Sequence, residues 1–136
     1  MTAVAGSMSA ANQSTPTAVV AAGDEETRVL LRGLLRLHHY RVIGEAEGLT
    51  RAMEFIQAHH PSVLVTDVNL AEGSSTRLIE ESKRSSPDLR VILVTPAARP
   101  PPTPEGSVTP DVVLPRPFKI RQFAEALCPP APSAPP

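Results

Sequence analysis

Aromatic side chains, cysteine and long hydrophobic runs are all scarce in this sequence of 136 residues. There is no Trp, with three Phe and one Tyr, so a folded core has to be built from Val, Leu, Ile and Ala. The single cysteine, Cys128, cannot form an internal disulfide, which fits a reducing compartment. No apolar run approaches the roughly 20 residues of a membrane span, and the first residues lack the pattern of a signal peptide. We therefore expect a cytoplasmic protein with no membrane segment.

Neither sign of charge is in excess. Lys and Arg number 13 and Asp and Glu number 14, a formal net charge of -1. Surfaces that bind nucleic acid or anionic membranes usually carry a clear basic excess. We therefore expect no direct contact with either, and the length suits a single domain.

Proline is abundant instead, and its 16 copies are clustered. Residues 1–16 are small and polar without periodicity, and we expect them to be disordered. Residues 129–136, PPAPSAPP, can form extended polyproline structure but no core, which is typical of a linker or tail. The folded domain is therefore predicted to span residues 17–128.

Within that span, short apolar runs alternate with amphipathic segments. The predicted strands are Ala18–Ala22, Tyr40–Ile43, a run from Val63 that ends at Asp67, Val91–Val94 and Val112–Leu114. The predicted helices are Glu25–Leu37, with Leu30, Leu31, Leu34 and Leu35 on one face, a second capped by Thr50, a third capped by Ser74 or Ser75, and Ile120–Leu127. This alternation predicts an α/β fold with a parallel sheet in the order 2-1-3-4-5 and helices on both faces.

Polar residues follow four of the predicted strands. Asp24 comes after the first strand, Asp67 after the third, Thr95 after the fourth and Arg116 after the fifth. Since the carboxyl ends of parallel strands share one edge of the sheet, we expect these residues to converge. A nucleophilic carboxylate, acids for a divalent cation and donors for phosphoryl oxygens would suit phosphoryl chemistry.

Four segments carry a family resemblance: VVAAGDEETRVLLRGLL, VLVTDVNLAEGSSTRLIE, VILVTP and VVLPRPF. In this order and spacing they resemble bacterial response-regulator receiver domains, over about residues 17–128. The resemblance implies a flavodoxin-like three-layer sandwich and a non-enzymatic role in two-component or phosphorelay signalling. It also implies partnership with a histidine kinase or another signalling protein, with homodimerisation as a further option.

The resemblance assigns roles residue by residue. Asp67 matches the aspartate that accepts phosphate with the help of Mg²⁺, and Asn69 matches the position whose backbone carbonyl ligates the metal. Thr95 matches the hydroxyl that binds the phosphoryl group. Arg116 matches an almost invariant lysine, and the resemblance implies that its bond to Pro117 is cis.

Departures from the family pattern concentrate at the metal ligands. The family has two adjacent acids after the first strand, where this chain has either Ala22 and Gly23 or, with the turn shifted, Gly23 and Asp24. At least one ligand is missing, so an Mg²⁺ site made by Asp24, Asp67 and Asn69 is expected to be weak or absent.

Two further departures concern the loops and the switch. Ala71 replaces a common proline, and Val113 replaces the switching aromatic of many members. The segment Pro96–Pro110 has six prolines among its fifteen residues, which excludes a regular helix because each internal proline removes a donor and clashes with the preceding turn. We therefore expect a proline-rich loop in place of the family's fourth helix.

Plainer interpretations stay open for several of these residues. Asp67 could cap a turn, Thr95 could pair with the backbone, and Asp24 with the acids after it could serve the helix dipole. Arg116 could pair with Asp67 and imitate a phosphorylated state. The doublets His38-His39 and His59-His60 end predicted helices on opposite faces of the sheet, so we expect no metal site there.

The favoured function is an atypical receiver domain that acts through protein–protein contacts with weak or no phosphorylation. The first alternative is a functional phosphoacceptor that uses Asp67, Asp24 and Mg²⁺. The remote alternative is a haloacid-type phosphatase, which would need an aspartate where Asn69 stands. An intact-mass measurement after treatment with acetyl phosphate separates the first two.

Overall fold

The computed structural model describes residues 15–96 and 109–127. Five strands and four helices lie in this part of the chain. In chain order they are β1 (Thr17–Ala21), α1 (Glu25–Leu37), β2 (Arg41–Ala46), α2 (Leu49–His59), β3 (Val63–Asp67), α3 (Ser75–Ser85), β4 (Arg90–Thr95), β5 (Val112–Pro115) and α4 (Ile120–Leu127).

All strand pairs are parallel, and the sheet order is β2-β1-β3-β4-β5. The three central strands are buried almost throughout, as expected of continuous apolar runs that are covered on both faces. The predicted fold class and strand order are therefore confirmed.

The alternation of side chains along the central strands divides the core into two layers. Val20 and Val65 face α1 and α4 and pack with Leu31, Leu35 and Phe123. The residues next to them in sequence, Val19 and Leu64, point the other way, toward α2 and α3, and belong to a second cluster. This three-layer sandwich leaves the carboxyl ends of the strands open at one edge.

Helix α1 has the predicted bounds but a narrower buried face than predicted. Thr27, Leu31, Leu34 and Leu35 are buried, whereas Leu30 is 48% exposed. The prediction that Leu30 shares the buried face is wrong. The contact stripe follows the i, i+4, i+7, i+8 positions that begin at Thr27, and Leu30 lies on its flank.

Helix α2 begins one residue before the predicted cap. Its N-cap is Gly48, which makes no side-chain capping bond. Thr50 instead donates from its N–H and its hydroxyl to the carboxylate of Glu72, at 3.1 and 2.9 Å. The Thr50 cap is therefore wrong, because a carboxylate from the loop after β3 caps this helix.

Strand β2 is longer than the predicted Tyr40–Ile43 and is displaced toward the carboxyl edge. It continues to Ala46 because Gly44 and the next two residues pair with β1, beyond an irregularity in the register. Local propensity disfavours glycine and glutamate in strands, but the pairing outweighs it.

The termini and the proline-rich segment lie largely outside the described residues. The disorder prediction for 1–16, the tail 129–136 and the loss of the family's fourth helix within Pro96–Pro110 all remain predictions. In the described ranges, every helix is too short or too polar to cross a bilayer.

Candidate functional site

The carboxyl edge of the sheet brings the predicted residues together. Asp67 ends β3 and is paired in register with Val94, the residue before Thr95. Thr95 ends β4 opposite Pro115, and its carbonyl accepts from the N–H of Arg116 at 2.9 Å. The parallel register therefore explains why residues 28 and 49 positions apart meet, as the strand-end pattern predicts.

Asp67 and Arg116 form an ion pair at this edge. An Nη2 of Arg116 lies 3.5 Å from Oδ1 of Asp67, and the two side chains are 31% and 3% exposed. Burial raises the pKa of Asp67 above its ordinary value, and the lowering by Arg116 and by the Val68 and Asn69 N–H groups offsets this only in part. The carboxylate of Asp67 is thus buried, and the partly exposed guanidinium of Arg116 lies beside it.

Two consecutive hydrogen bonds link Arg116 to the start of α1. Its Nη1 donates to Oγ1 of Thr27 at 3.4 Å, and that hydroxyl donates to Oδ2 of Asp24 at 3.0 Å. The peptide bond between Arg116 and Pro117 is cis, as the resemblance implies. Thr27 is buried, so the start of α1 and the end of β5 are joined through one inward-facing hydroxyl.

Asp24 is the N-cap of α1. Its Oδ2 accepts from the backbone N–H of Thr27 and from the hydroxyl of the same residue, both at 3.0 Å. Glu25 and Glu26 occupy the first turn, where the helix dipole favours acids. The geometry of these three acids is that of a helix start.

The backbone carbonyl of Asn69 is engaged with the turn after β1. It accepts from the N–H of Gly23 at 2.9 Å. A Cβ at Gly23 would lie 2.9 Å from the backbone nitrogen of Ala71, so a side chain here would push the two loops apart. The contact needs glycine at position 23.

The sequence of this chain matches a known protein family. The family model of the response regulator receiver domain matches residues 18–126. The chain belongs to the response regulator receiver domain family. It is therefore a receiver domain of the kind that serves two-component signalling.

Individual relatives agree with this assignment. The chain is 33% identical over 75 residues to the DNA-binding transcriptional activator DevR/DosR of Mycobacterium tuberculosis, covering 52% of this chain and 35% of the relative. The chain thus matches about a third of that relative's length.

Solved structures share the fold at low identity. One is a DNA-binding response regulator of the LuxR family from Staphylococcus aureus, with 17% identity, a TM-score of 0.68, and 82% and 94% of the two chains covered. Another is a CheY-like receiver domain protein from Methanospirillum hungatei, with 17% identity, a TM-score of 0.67, and 82% and 90% covered.

Two functional contacts escaped prediction from the sequence. Arg28 donates from Nη1 to the carbonyl of Ala22 at 2.7 Å, and its Nη2 lies 3.9 Å from Glu47. A guanidinium therefore covers the end of β1, at the place where receiver domains carry acids. The buried position of Thr27 was also missed, because the only sign of it in the sequence is the helical spacing between Thr27 and Leu31.

Receiver domains usually bind Mg²⁺ at the phosphorylation site, and each of the three candidate ligands here already has a partner within the protein. Mg²⁺ requires near-octahedral oxygen ligands. Asp24 caps α1, the Asn69 carbonyl is bonded to Gly23, and Asp67 is paired with Arg116. Among the described residues there is also no group of three or more His, Cys, Asp or Glu that could hold a metal.

The histidine doublets lie away from this edge. The ring Nδ1 of His38 lies 2.9 Å from the carbonyl of Leu34, at the end of α1. His39 and His60 have positive φ angles of 67° and 49°, and both help to end their helices. Their positions serve helix termination.

Proposed function

We propose that this receiver domain works with weak or no phosphorylation and signals through protein–protein contacts. In this proposal Arg116 supplies, permanently, the positive charge that Mg²⁺ would bring beside Asp67. The domain then has one resting state that does not depend on a phosphoryl donor.

The contact between Arg116 and Asp67 is the observation that carries the proposal. Attack by Asp67 on a phosphoryl donor needs an accessible carboxylate oxygen and cations for the donor's oxygens. Here the carboxylate is 3% exposed and a guanidinium stands at its open side. Arg116 also donates to Oγ1 of Thr27 at 3.4 Å, so its guanidinium is shared between two protein partners.

Charge arithmetic supports the same conclusion. A receiver pocket with three carboxylates needs a divalent cation to bring them together. In this chain Ala22 and Gly23 contribute no charge, while Arg28 and Arg116 reach the ends of β1 and β3. Arg116 thus stands beside Asp67 at the end of β3, and Arg28 lies beside Glu47 at the end of β1.

The direct test is intact-mass spectrometry after incubation with acetyl phosphate and Mg²⁺. We expect no phosphoryl adduct above the level of an Asp67→Asn control. An Arg116→Lys variant tests the cause, because lysine is a compact point charge and cannot fork between Thr27 and Asp67. Stoichiometric labelling of the unmodified chain that disappears in Asp67→Asn would refute the proposal.

The alternative is a phosphoacceptor that recruits Asp67, Asp24 and Mg²⁺. Family membership and the alignment of Thr95 beside Asp67 favour it. In this alternative Asp24 would bind the metal through Oδ1, because Oδ2 accepts both capping bonds from Thr27. A haloacid-type phosphatase gains no support from the family match or from the DNA-binding relatives.

The output of the signal has to come from outside this domain. Two of the three relatives above are DNA-binding regulators, and this chain matches about a third of the length of one of them. We propose that any contact with DNA is made by a separate domain or a partner, since the receiver itself carries a net charge of only -1. A histidine kinase or another signalling protein is the proposed upstream partner.

A further inference from the structure

An apolar cleft of about 540 Å³ opens beside the ion pair, between α1 and the chain that joins β5 to α4. Its apolar lining consists of Leu30, Leu34, Pro96, Pro117, Phe118 and Ile120. Arg116 is the one charged residue among those described at its surface. The cleft therefore combines an apolar wall with a single cation.

Two of the lining side chains are unusually exposed for their type. Leu30 is 48% and Ile120 is 57% exposed. Exposed apolar surface in a concave site marks a place where another molecule gains free energy by covering it. These two residues lie on α1 and at the start of α4, so they flank the cleft on both sides.

The charge that a ligand would meet in the cleft is positive. Arg116 is 31% exposed, whereas its partner Asp67 is 3% exposed. The guanidinium makes its two side-chain hydrogen bonds at 3.4 and 3.5 Å, near the outer limit for such bonds. Since a guanidinium has five N–H donors in a planar fork, it retains capacity for a carboxylate from the cleft side.

We propose that this cleft binds a small amphipathic anion, with its apolar body against Leu34 and Phe118 and its carboxylate on Arg116. The carboxylate and Asp67 share one guanidinium, so occupancy of the cleft is coupled to the ion pair at the receiver site. The coupling rests on the proposed function, in which Arg116 is the resident cation. Binding of the anion in the cleft does not depend on the proposed function.

The acids of α1 set the orientation of the ligand. Glu25 and Glu26 line a separate, shallower depression with Val29 and Leu30, so negative charge lies at the far side of Leu30. An anionic headgroup is repelled from that side and drawn to the Arg116 end. A neutral headgroup has no such preference, and a cationic headgroup has the opposite one.

Three probes with one eight-carbon tail test the chemistry: octanoate, octanol and octylammonium, each well below its aggregation limit. Binding is followed by calorimetry and by amide and Arg116 Nε–H shifts in NMR spectra of the whole chain. We expect octanoate to bind at least about tenfold more tightly than octanol, because one charge-assisted hydrogen bond is worth that factor or more. A cleft that ignores Arg116 would prefer octanol, whose headgroup costs less to desolvate.

Matched variants separate the headgroup contact from the apolar contact. Arg116→Gln should lower the affinity for octanoate about tenfold and leave octanol unchanged, whereas Arg121→Gln, an exposed arginine on α4 that does not line the cleft, should change neither. Leu30→Ser should weaken both probes, and Leu37→Ser, also on α1 but outside the cleft, should weaken neither. If Arg116→Gln does not fold, the comparison of the three probes and the comparison of Leu30→Ser with Leu37→Ser still test the proposal.

Three results would overturn the proposal: octanol binding as tightly as octanoate, NMR shifts outside the cleft, or concentration-dependent dimerisation through Leu30 and Ile120. The last result would make a second copy of the chain the occupant. Phosphorylation of Asp67 by acetyl phosphate would refute the proposed function but leave the octanoate measurement intact, so the two failures are distinguishable.

Discussion

At the scale of single residues, Asp67 is the group with the least favourable surroundings in the site. It is almost completely buried, and its ion pair with Arg116 spans 3.5 Å. Burial raises the pKa of this carboxyl, so the folded state holds the Asp67 proton more tightly than the unfolded state does. Ionisation of Asp67 therefore subtracts stability as the pH rises from the unfolded pKa through the folded one.

The first prediction follows from that sign. Asp67→Asn should raise the free energy of unfolding at pH 7, and the gain should fade once the pH drops below the ordinary carboxyl value of 3.8. Arg116 is partly exposed to solvent, so its charge stays hydrated when the Asp67 carboxylate is removed. Urea unfolding at the two pH values measures the effect, with the exposed Asp88→Asn as a control that should change little. A loss of stability at pH 7 would show that the ion pair outweighs burial.

At the scale of elements, close packing around glycine decides how β2 sits on α2. A Cβ added to Gly44 would lie 2.4 Å from the ring of Phe55. The ring is held on its other sides by Arg51, whose guanidinium lies 5.4 Å from the ring centroid, and by His59. A methyl group at position 44 would therefore have to displace the Phe55 ring.

The second prediction compares two glycines. Gly44→Ala should lower the free energy of unfolding by about 1–3 kcal/mol, the usual cost of overpacking. Gly33→Ala should instead raise it by about 0.5–1 kcal/mol, because Gly33 lies inside α1 and alanine favours helices. A Cβ at Gly33 would have no neighbour within 4 Å.

Chemical unfolding of the two variants and the parent protein measures both effects. A second substitution, Phe55→Leu, should recover part of the loss in Gly44→Ala, because it removes the ring that the new methyl group meets. Equal stability of Gly44→Ala and the parent would contradict the packing described for β2.

The loops at the site edge are tied together in a similar way. Glu72 caps α2 through Thr50, and Gly23 closes onto the carbonyl of Asn69. Each tie crosses from one βα unit to another, so the strand-end loops form one connected rim. Such a rim resists the rearrangement that a metal at Asp24 and Asn69 would require.

At the scale of the whole molecule, a ligand that binds only the folded state raises its stability. The gain is about 2.7 kcal/mol when the ligand is at a hundred times its Kd. A receiver domain with a working Mg²⁺ site should therefore melt at a higher temperature in Mg²⁺. In this chain Asp24, Asp67 and the Asn69 carbonyl already have partners within the protein, so we expect Mg²⁺ to have little effect on the melting temperature.

The third prediction is that millimolar Mg²⁺ leaves the melting temperature of this protein within the shift caused by NaCl at equal ionic strength. Differential scanning calorimetry with and without EDTA provides the measurement. A clear Mg²⁺-specific rise that is lost in Asp24→Asn would show that Asp24 ligates the metal and would contradict this prediction.

The sequence by itself determined the fold class, the strand order and the edge at which the polar residues meet. These follow from periodicity, since buried parallel strands read as apolar runs and helices as amphipathic stripes. The convergence of Asp67, Thr95 and Arg116 also follows, because parallel strands place all their carboxyl ends on one side. The lack of acids at Ala22 and Gly23 was equally readable from the sequence.

Only the tertiary structure decided what each oxygen and nitrogen at that edge does. The sequence left the role of Asp24 open, and its distance to Thr27 shows that it caps α1. Arg28 and Glu72 act across loops that are distant in sequence, and no local pattern marks them. Buried strands can be predicted because they appear in the sequence as runs of apolar residues. A hydrogen bond depends instead on where two particular atoms lie once every element has packed.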